Sequence, residues 1–448
     1  MNPSRVVIIG LDSVAPALAF DQYRDDMPNL RALCDGGCHG PMRSTDPPIT
    51  IPAWISMTSG RSPGQLGIYG FRRYAASDPP ELVNSTDVRF PRIWDLAAEA
   101  GMKSVVVSVP GTYPLLPHPR VTMTTDFTTP SARSRWIAKP SLRQELTSLF
   151  GPYIVDVANF RNDDTSRVSA ECAALTRQHF AIFRHLIQKE QPGFAMLVDI
   201  APDRLHHAAL HHIWRDHPAF EDNSLGREYY RLLDDEIGKT LALLDSDTLV
   251  MVVSDHGVKP LLGGICLNEI LIQSKHLVLA DKYPDAPVPL SSLNIDWQQT
   301  TAFAHGGYVG RIFFNRLKKM SASDLQRLGE ELKDVLKTAG MRNGEALQHQ
   351  IFSPGELYGP AAGTPPDFTV YLDHLNYRAI GSVGHGAIQI PGNDQGPDRA
   401  NHDLFGIFAA NIRGNTPRTT FNICDVFASA VAALGLPRPE GTLGDSVL

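Results

Sequence analysis

No run of uninterrupted apolar residues in the chain is long enough to span a bilayer, although 43% of its 448 residues are hydrophobic. The N-terminal stretch does not read as a secretory leader either. Arg5 is followed directly by Val6-Val7-Ile8-Ile9, and this short run stops at Gly10 with no small-residue cleavage site. Basic charge is not in excess: 41 Lys+Arg stand against 48 Asp+Glu, a formal net charge of −7. That balance, with no aromatic-basic motif, excludes bulk binding to nucleic acid or anionic membrane but leaves room for a local basic pocket. Cysteine is scarce. Five residues (34, 38, 172, 266, 424) form an odd set that fits reduced thiols and, with the apolar first strand, a cytoplasmic location. Cys34 and Cys38 sit four apart at an expected helix end. A zinc site there needs two further ligands, and only His39 is at hand, so packing is the reading taken. Internal repeats and low-complexity tracts are also absent, and the 20% charged fraction completes a globular balance.

What is present is an alternation of short apolar runs and helical stretches, the pattern of a mostly parallel sheet covered on both faces. Strands are expected at Val6–Ile9, Ser104–Val109, Phe194–Ile200 and Thr248–Ser254. Helices are expected at Met27–Asp35, Pro91–Ala100, Arg167–Gln188, Leu225–Leu244 and Cys424–Leu434, where apolar residues recur at three- and four-residue spacing. The stretch 263–392 differs in character, with clustered prolines at 284, 287 and 289 and a charged helix near Ser323–Lys337. It also carries strand-like segments at Gly310–Asn315 and Phe368–Leu372. The expected organisation is therefore an α/β core from 1–262 and 393–448 with an accessory lobe, 263–392, inserted ahead of its last elements.

Acids and imidazoles gather where strands end, which is where open α/β sheets bind ligands. Asp12 follows Ile8-Ile9-Gly10-Leu11, so its carboxylate can face a crevice, although a helix cap would use the same residue type. Thr50 lies in Pro47-Pro48-Ile49-Thr50-Ile51-Pro52-Ala53-Trp54, where Pro52 suits a helix start. A hydroxyl there meets free N–H groups and the positive end of a helix dipole, features that also stabilise a phosphoryl group; an ordinary Thr N-cap is the competing reading. Asp203 and His207, four apart just after a strand, share one face of a helical turn and could converge on one metal. His206, His211 and His212 crowd the same stretch, and some of them must be surface or packing residues. Ser254-Asp255-His256-Gly257 is the sharpest local signal. Its Asp-His pair can serve one metal only if the strand has already turned, which Gly257 permits. His402 lies just ahead of another apolar strand.

Taken together and in order, these segments resemble the type I phosphodiesterase/nucleotide pyrophosphatase family of the alkaline phosphatase superfamily. The matching stretches include Gly10-Leu11-Asp12, Met27-Pro28-Asn29-Leu30, the prolines around Thr50, and Gly60-Arg61-Ser62-Pro63-Gly64. Val109-Pro110-Gly111-Thr112-Tyr113-Pro114, Asp203-Arg204-Leu205-His206-His207 and Ser254-Asp255-His256-Gly257 complete the set. The resemblance implies an alkaline-phosphatase-like three-layer α/β/α core and two divalent metals, usually zinc, with manganese or another divalent ion as a substitute. It assigns Asp203, His207 and His402 to one metal, and Asp12, Asp255, His256 and the Thr50 oxygen to the other. It further implies hydrolysis of a small phosphodiester or nucleotide-like pyrophosphate through a phospho-threonine intermediate on Thr50.

One departure is visible. Family members are expected to carry an Asn after the nucleophile that helps hold the phosphoryl oxygens, whereas here the stretch is Gly70-Phe71-Arg72-Arg73-Tyr74 with no Asn before Asn84. Arg72, Arg73 or Lys259 could bind an additional phosphate charge, which would favour a monoester; solvated surface cations are the plain alternative. No Cys-x-Pro-x-Arg stretch marks a sulfatase, and Thr in place of Ser argues against a cofactor-independent mutase. A metal-binding homologue without catalysis is the remaining alternative class.

Overall fold

The computed structural model describes residues 5–74, 80–412 and 418–448. They divide into two compact units, one of residues 1–71, 82–258 and 402–448, the other of 72–81 and 259–401.

The first unit is built on an eight-stranded sheet. Its strands are β1 (Arg5–Leu11), β2 (Cys38–Arg43), β3 (Ser104–Val107), β4 (Val121–Thr124), β5 (Phe194–Asp199), β6 (Thr248–Val253), β7 (Phe405–Ala410) and β8 (Phe421–Asn422). They lie in the order β8-β2-β7-β6-β1-β5-β3-β4. Every pairing is parallel except those of β7, which runs against both β2 and β6. Burial on both faces explains why β3, β5 and β6 are wholly buried and read as continuous apolar runs.

The covering layers include the helices α1 (Pro28–Gly36), α2 (Thr50–Ser59), α3 (Ile93–Glu99), α4 (Thr165–Glu190), α5 (Ala201–Ile213), α6 (Leu225–Leu241) and α7 (Asp425–Ala433). Helix α7 touches both α2 and α3, and the three share a core with Val6, Ile8, Met196, Val198, Met251 and Val253 of the sheet. Helices α1, α4, α5 and α6 form a second contacting group, reaching the sheet through β3, β5 and β7. The result is a three-layer α/β/α sandwich. The sequence places α2 to start at Pro52, but it starts at Thr50, and Pro52 sits inside its first turn, where a missing N–H costs nothing.

The second unit contains residues 263–392 and extends past them on both sides. A four-stranded antiparallel sheet orders segments Ala302–His305, Gly310–Phe314, Phe368–Tyr371 and Gln350–Phe352. The charged helix Ala322–Lys337 begins with a Ser321/Asp324 capping box and buries Leu328, Leu332 and Leu336 in this unit's own core. Residues 72–81 group with this unit by contact; Tyr74 stacks on His305 at 4.2 Å and lies under the Arg311 guanidinium. Sequence separation hid that assignment, since the partners are more than two hundred residues apart. Among the described residues no helix is long and apolar enough to cross a membrane.

Candidate metal centre

Strand ends of the first unit bring Asp12, Thr50, Asp203, His207, Asp255, His256 and His402 together, all buried. Asp12 follows β1 directly. Gly10, two residues earlier, makes room for Trp54, because a Cβ there would stand 2.5 Å from the indole ring. The indole Nε1 then donates to Asp12 Oδ2 at 2.7 Å, so Asp12 caps no helix. Thr50 opens α2 without any side-chain capping bond; its Oγ1 lies 3.3 Å from His256 Nε2 instead.

β6 ends at Val253, one residue earlier than expected, and the chain has turned before Asp255 and His256. Ser254 secures that turn by accepting from Val14 N–H and donating to the His256 carbonyl. Gly257 is needed there for close approach: a Cβ would meet the Phe405 carbonyl oxygen at 2.1 Å. On α5 the four-residue spacing places His207 Nε2 3.4 Å from Asp203 Oδ1. His402 Nε2 faces the same oxygen at 3.5 Å, and its ring stacks on His256 at 3.7 Å.

The donor set fits divalent metal ions. Each carboxylate divides its oxygens: one is held by the protein, by Trp54 for Asp12, Arg204 for Asp203 and the Ser13 N–H for Asp255. The other, Asp12 Oδ1, Asp203 Oδ1 or Asp255 Oδ2, is buried without a hydrogen-bond donor. The imidazoles are oriented to match. His256 Nδ1 bonds the Gly257 carbonyl and His402 Nδ1 the Pro48 carbonyl, which requires the proton on Nδ1 and leaves each Nε2 as a lone pair. His256 Nε2 therefore faces three oxygens, Asp12 Oδ1 at 3.5 Å, Asp255 Oδ2 at 3.3 Å and Thr50 Oγ1 at 3.3 Å. One proton cannot serve all three contacts; a cation among them would. Ligand atoms of Asp203, His207 and His402 lie within 4.8 Å of one another, and so do those of Asp12, Asp203 and His256.

Electrostatics point the same way. Burial, then the Asp203 charge, pushes the Asp12 carboxyl well up, and burial, then Asp12, does the same to Asp255. Burial alone would raise Asp203 too, but His207, His402 and Arg204 outweigh it and hold this carboxyl well down. Burial, then the neighbouring His402, keeps His256 neutral, and burial brings His402 down to about 4. Crowded carboxylates beside neutral imidazoles are a strained arrangement that positive charge relieves.

Other expected residues lie elsewhere. His206 is a packing histidine bonded to the Tyr230 hydroxyl, and burial pushes it down to about 3. The His211 and His212 rings lie 3.9 Å apart, tilted by 40° to one another. Cys34 and Cys38 are not joined in a disulfide, and Cys38 opens β2. Arg72, Arg73 and Lys259 belong to the second unit and have partners there: the Pro80 carbonyl, Glu81 and the His374 carbonyl respectively. Asn84 spends its side-chain oxygen on the Thr86 N–H. Sequence reasoning missed Arg204 and Trp54. Their place inside quoted motifs was the only signal, and it did not reveal their partners.

Fold and cluster together define an α/β protein of alkaline-phosphatase-like fold with a buried acid–imidazole centre. Over residues 6–386 the chain matches the type I phosphodiesterase/nucleotide pyrophosphatase family, and it belongs to that family. No curated protein sequence matches it significantly. Among solved structures it is similar to phosphonoacetate hydrolase from Sinorhizobium meliloti in complex with phosphonoformate, with a TM-score of 0.65, 16% identity, and coverage of 97% of this chain and 96% of that one. Human ectonucleotide pyrophosphatase/phosphodiesterase 5 follows with 0.60, 14%, 98% and 97%. The murine protein of that name, inactive and in complex with AMP, gives 0.59, 14%, 99% and 97%. At these identities the likeness is one of fold.

Proposed function

We propose that the chain hydrolyses a small phosphodiester or nucleotide-like pyrophosphate, with Thr50 as the nucleophile. The observation that carries this reading is the Thr50 hydroxyl, buried at the first position of α2 and 3.3 Å from His256 Nε2 in a cluster of carboxylates and imidazoles. Asp203, His207 and His402 would hold one divalent ion; Asp12, Asp255 and His256, with the Thr50 oxygen, would hold the other. Histidine and carboxylate donors suit zinc. Ions in these positions supply positive charge that lowers the pKa of a hydroxyl and offsets charge on phosphoryl oxygens.

The chain's own residues supply the rest. Thr50 Oγ forms a bond to phosphorus as the bond to the leaving oxygen breaks, and the leaving oxygen takes up a proton. Water then attacks the phosphorus of this threonine-bound intermediate, which still carries the substrate's second ester group; the phosphate monoester leaves and the Thr50 oxygen takes back a proton. The positive end of α2 faces the group being transferred. His256 and His402, fixed through Nδ1, keep their lone pairs on the site. The sparse, odd set of cysteines, none of them in a disulfide, supports a cytoplasmic setting.

Hydrolysis of a chromogenic diester, a chromogenic monoester and phosphonoacetate by zinc-loaded protein tests the reading, with Thr50→Ala alongside. Diester turnover should exceed the other two and fall by at least about a thousandfold in the variant, while bound zinc is retained. Monoester preference would move the assignment to a phosphatase, and phosphonoacetate preference to C–P cleavage. Zinc binding with no Thr50-dependent turnover would leave a non-catalytic metal protein.

A further inference from the structure

Arg204 immediately follows Asp203 on α5, and only 7% of its side chain is exposed. Its guanidinium uses two edges at once. Nη1 donates to Asp203 Oδ2 at 2.7 Å, while Nε and Nη2 grip both oxygens of Asp156 at 2.8 and 3.0 Å. Phe160 and Phe127 hold the planar group, with its carbon 4.5 and 5.0 Å from their ring centres, and Phe160 in turn lies 5.8 Å from the His207 ring. Asp203 Oδ1, the oxygen Arg204 leaves alone, is the one that faces His207 Nε2 and His402 Nε2.

From this geometry we infer that Arg204 and Asp156 form a positioning pair that fixes Asp203 as a one-oxygen ligand and thereby sets the affinity of the Asp203–His207–His402 group for its divalent ion. The inference rests on reading those three residues as ligands. Without Arg204, Asp203 could turn about its side-chain bonds and offer either oxygen. With it, Oδ2 is committed and the carboxylate plane is set. A cation beside a cation site would ordinarily weaken binding. Asp156 balances the guanidinium, so Asp203 keeps its own charge for the ion. Lysine cannot reproduce this, because a point ammonium has no fork that grips Asp156 with two atoms and Asp203 with a third. Partners behind metal ligands typically change affinity by roughly 10–100-fold when removed.

The test is zinc affinity by competition with a chromophoric chelator for the parent, Arg204→Met, Arg204→Lys and Asp156→Asn, together with the melting temperature of each metal-free protein. Arg204→Met should weaken zinc binding at the Asp203–His207–His402 group by roughly 10–100-fold, Arg204→Lys should recover part of that loss, and Asp156→Asn should fall between them. Asp156 lies in a loop with 28% of its side chain exposed, so its variant is the one that keeps the test open if Arg204→Met does not fold. Lowered metal-free stability with unchanged zinc affinity in the folded variants would reduce the pair to a packing role and overturn the inference. A parent protein that binds no zinc would overturn the ligand assignment and the inference together. Zinc binding without hydrolysis would sink only the proposed reaction.

Discussion

Asp199 closes β5 four residues ahead of Asp203, and its carboxyl is wholly buried. It accepts from the Thr176 hydroxyl and the Ala201 N–H, and Thr176 also meets the Tyr229 hydroxyl. Burial pushes this carboxyl up to about 7 despite those donors. The folded chain therefore keeps a proton that the unfolded chain releases near pH 3.8. The stability it contributes is full below that pH and is lost as pH rises toward 7, at roughly 1.4 kcal/mol per pH unit. Asp199→Asn removes the titration. Between pH 4 and 7 the melting temperature of the metal-free variant should rise steadily relative to the parent, then level off; a constant difference across that range would refute the shift. The sequence places Asp199 at a strand end but says nothing of Thr176 and Tyr229, because burial and long-range donors decide its charge.

At the scale of elements, α1 shows how one helix is fixed by another. Pro28 opens it, and no residue of the local chain caps its N-terminus. Asp234, from the middle of α6, does so instead, accepting from the N–H groups of Asn29 and Leu30 and from the Asn29 side chain. Asp234→Ala would leave the buried Leu30 N–H and the partly buried Asn29 donors without this partner at the positive end of the helix. We expect a loss of about 1–3 kcal/mol in urea unfolding, with the zinc affinity of the folded protein unchanged. The Met27-Pro28-Asn29-Leu30 stretch marked the helix start in the sequence; its capping partner, about two hundred residues away, did not. α2 is similar. Its prolines announced a helix, but the start fell at Thr50 because the chain turns there to bring the hydroxyl to His256.

Across the whole molecule, the proposed ligands come from five separate chain segments and meet only when the sheet is assembled, so occupancy of the centre should be linked to folding. Zinc at a hundredfold excess over its dissociation constant should stabilise the protein by about 2.7 kcal/mol, and a chelator should reverse it, both read as melting temperature. The increment should shrink as pH is lowered from about 7.5 to 5.5. Without the ion, Asp12 and Asp255 hold protons well above the usual carboxylate range, so binding expels protons and acid opposes it. A zinc increment that is flat with pH would contradict a ligand set of this kind.

The sequence by itself determined the α/β class, the helices and strands that carry strong periodicity, and which acids and imidazoles stand at strand ends. Those properties are local: apolar spacing, turn residues and the four-residue period of a helix are written in neighbouring positions. Only the tertiary structure decided which oxygen of each carboxylate faces the centre, which ring nitrogen carries the proton, and that Trp54 stands behind Asp12 and Arg204 with Asp156 behind Asp203. It also decided that residues 72–81 group with 259–401. Those outcomes depend on contacts across tens to hundreds of residues. A buried polar atom's state follows from whichever partner the fold delivers to it, and no local pattern names that partner.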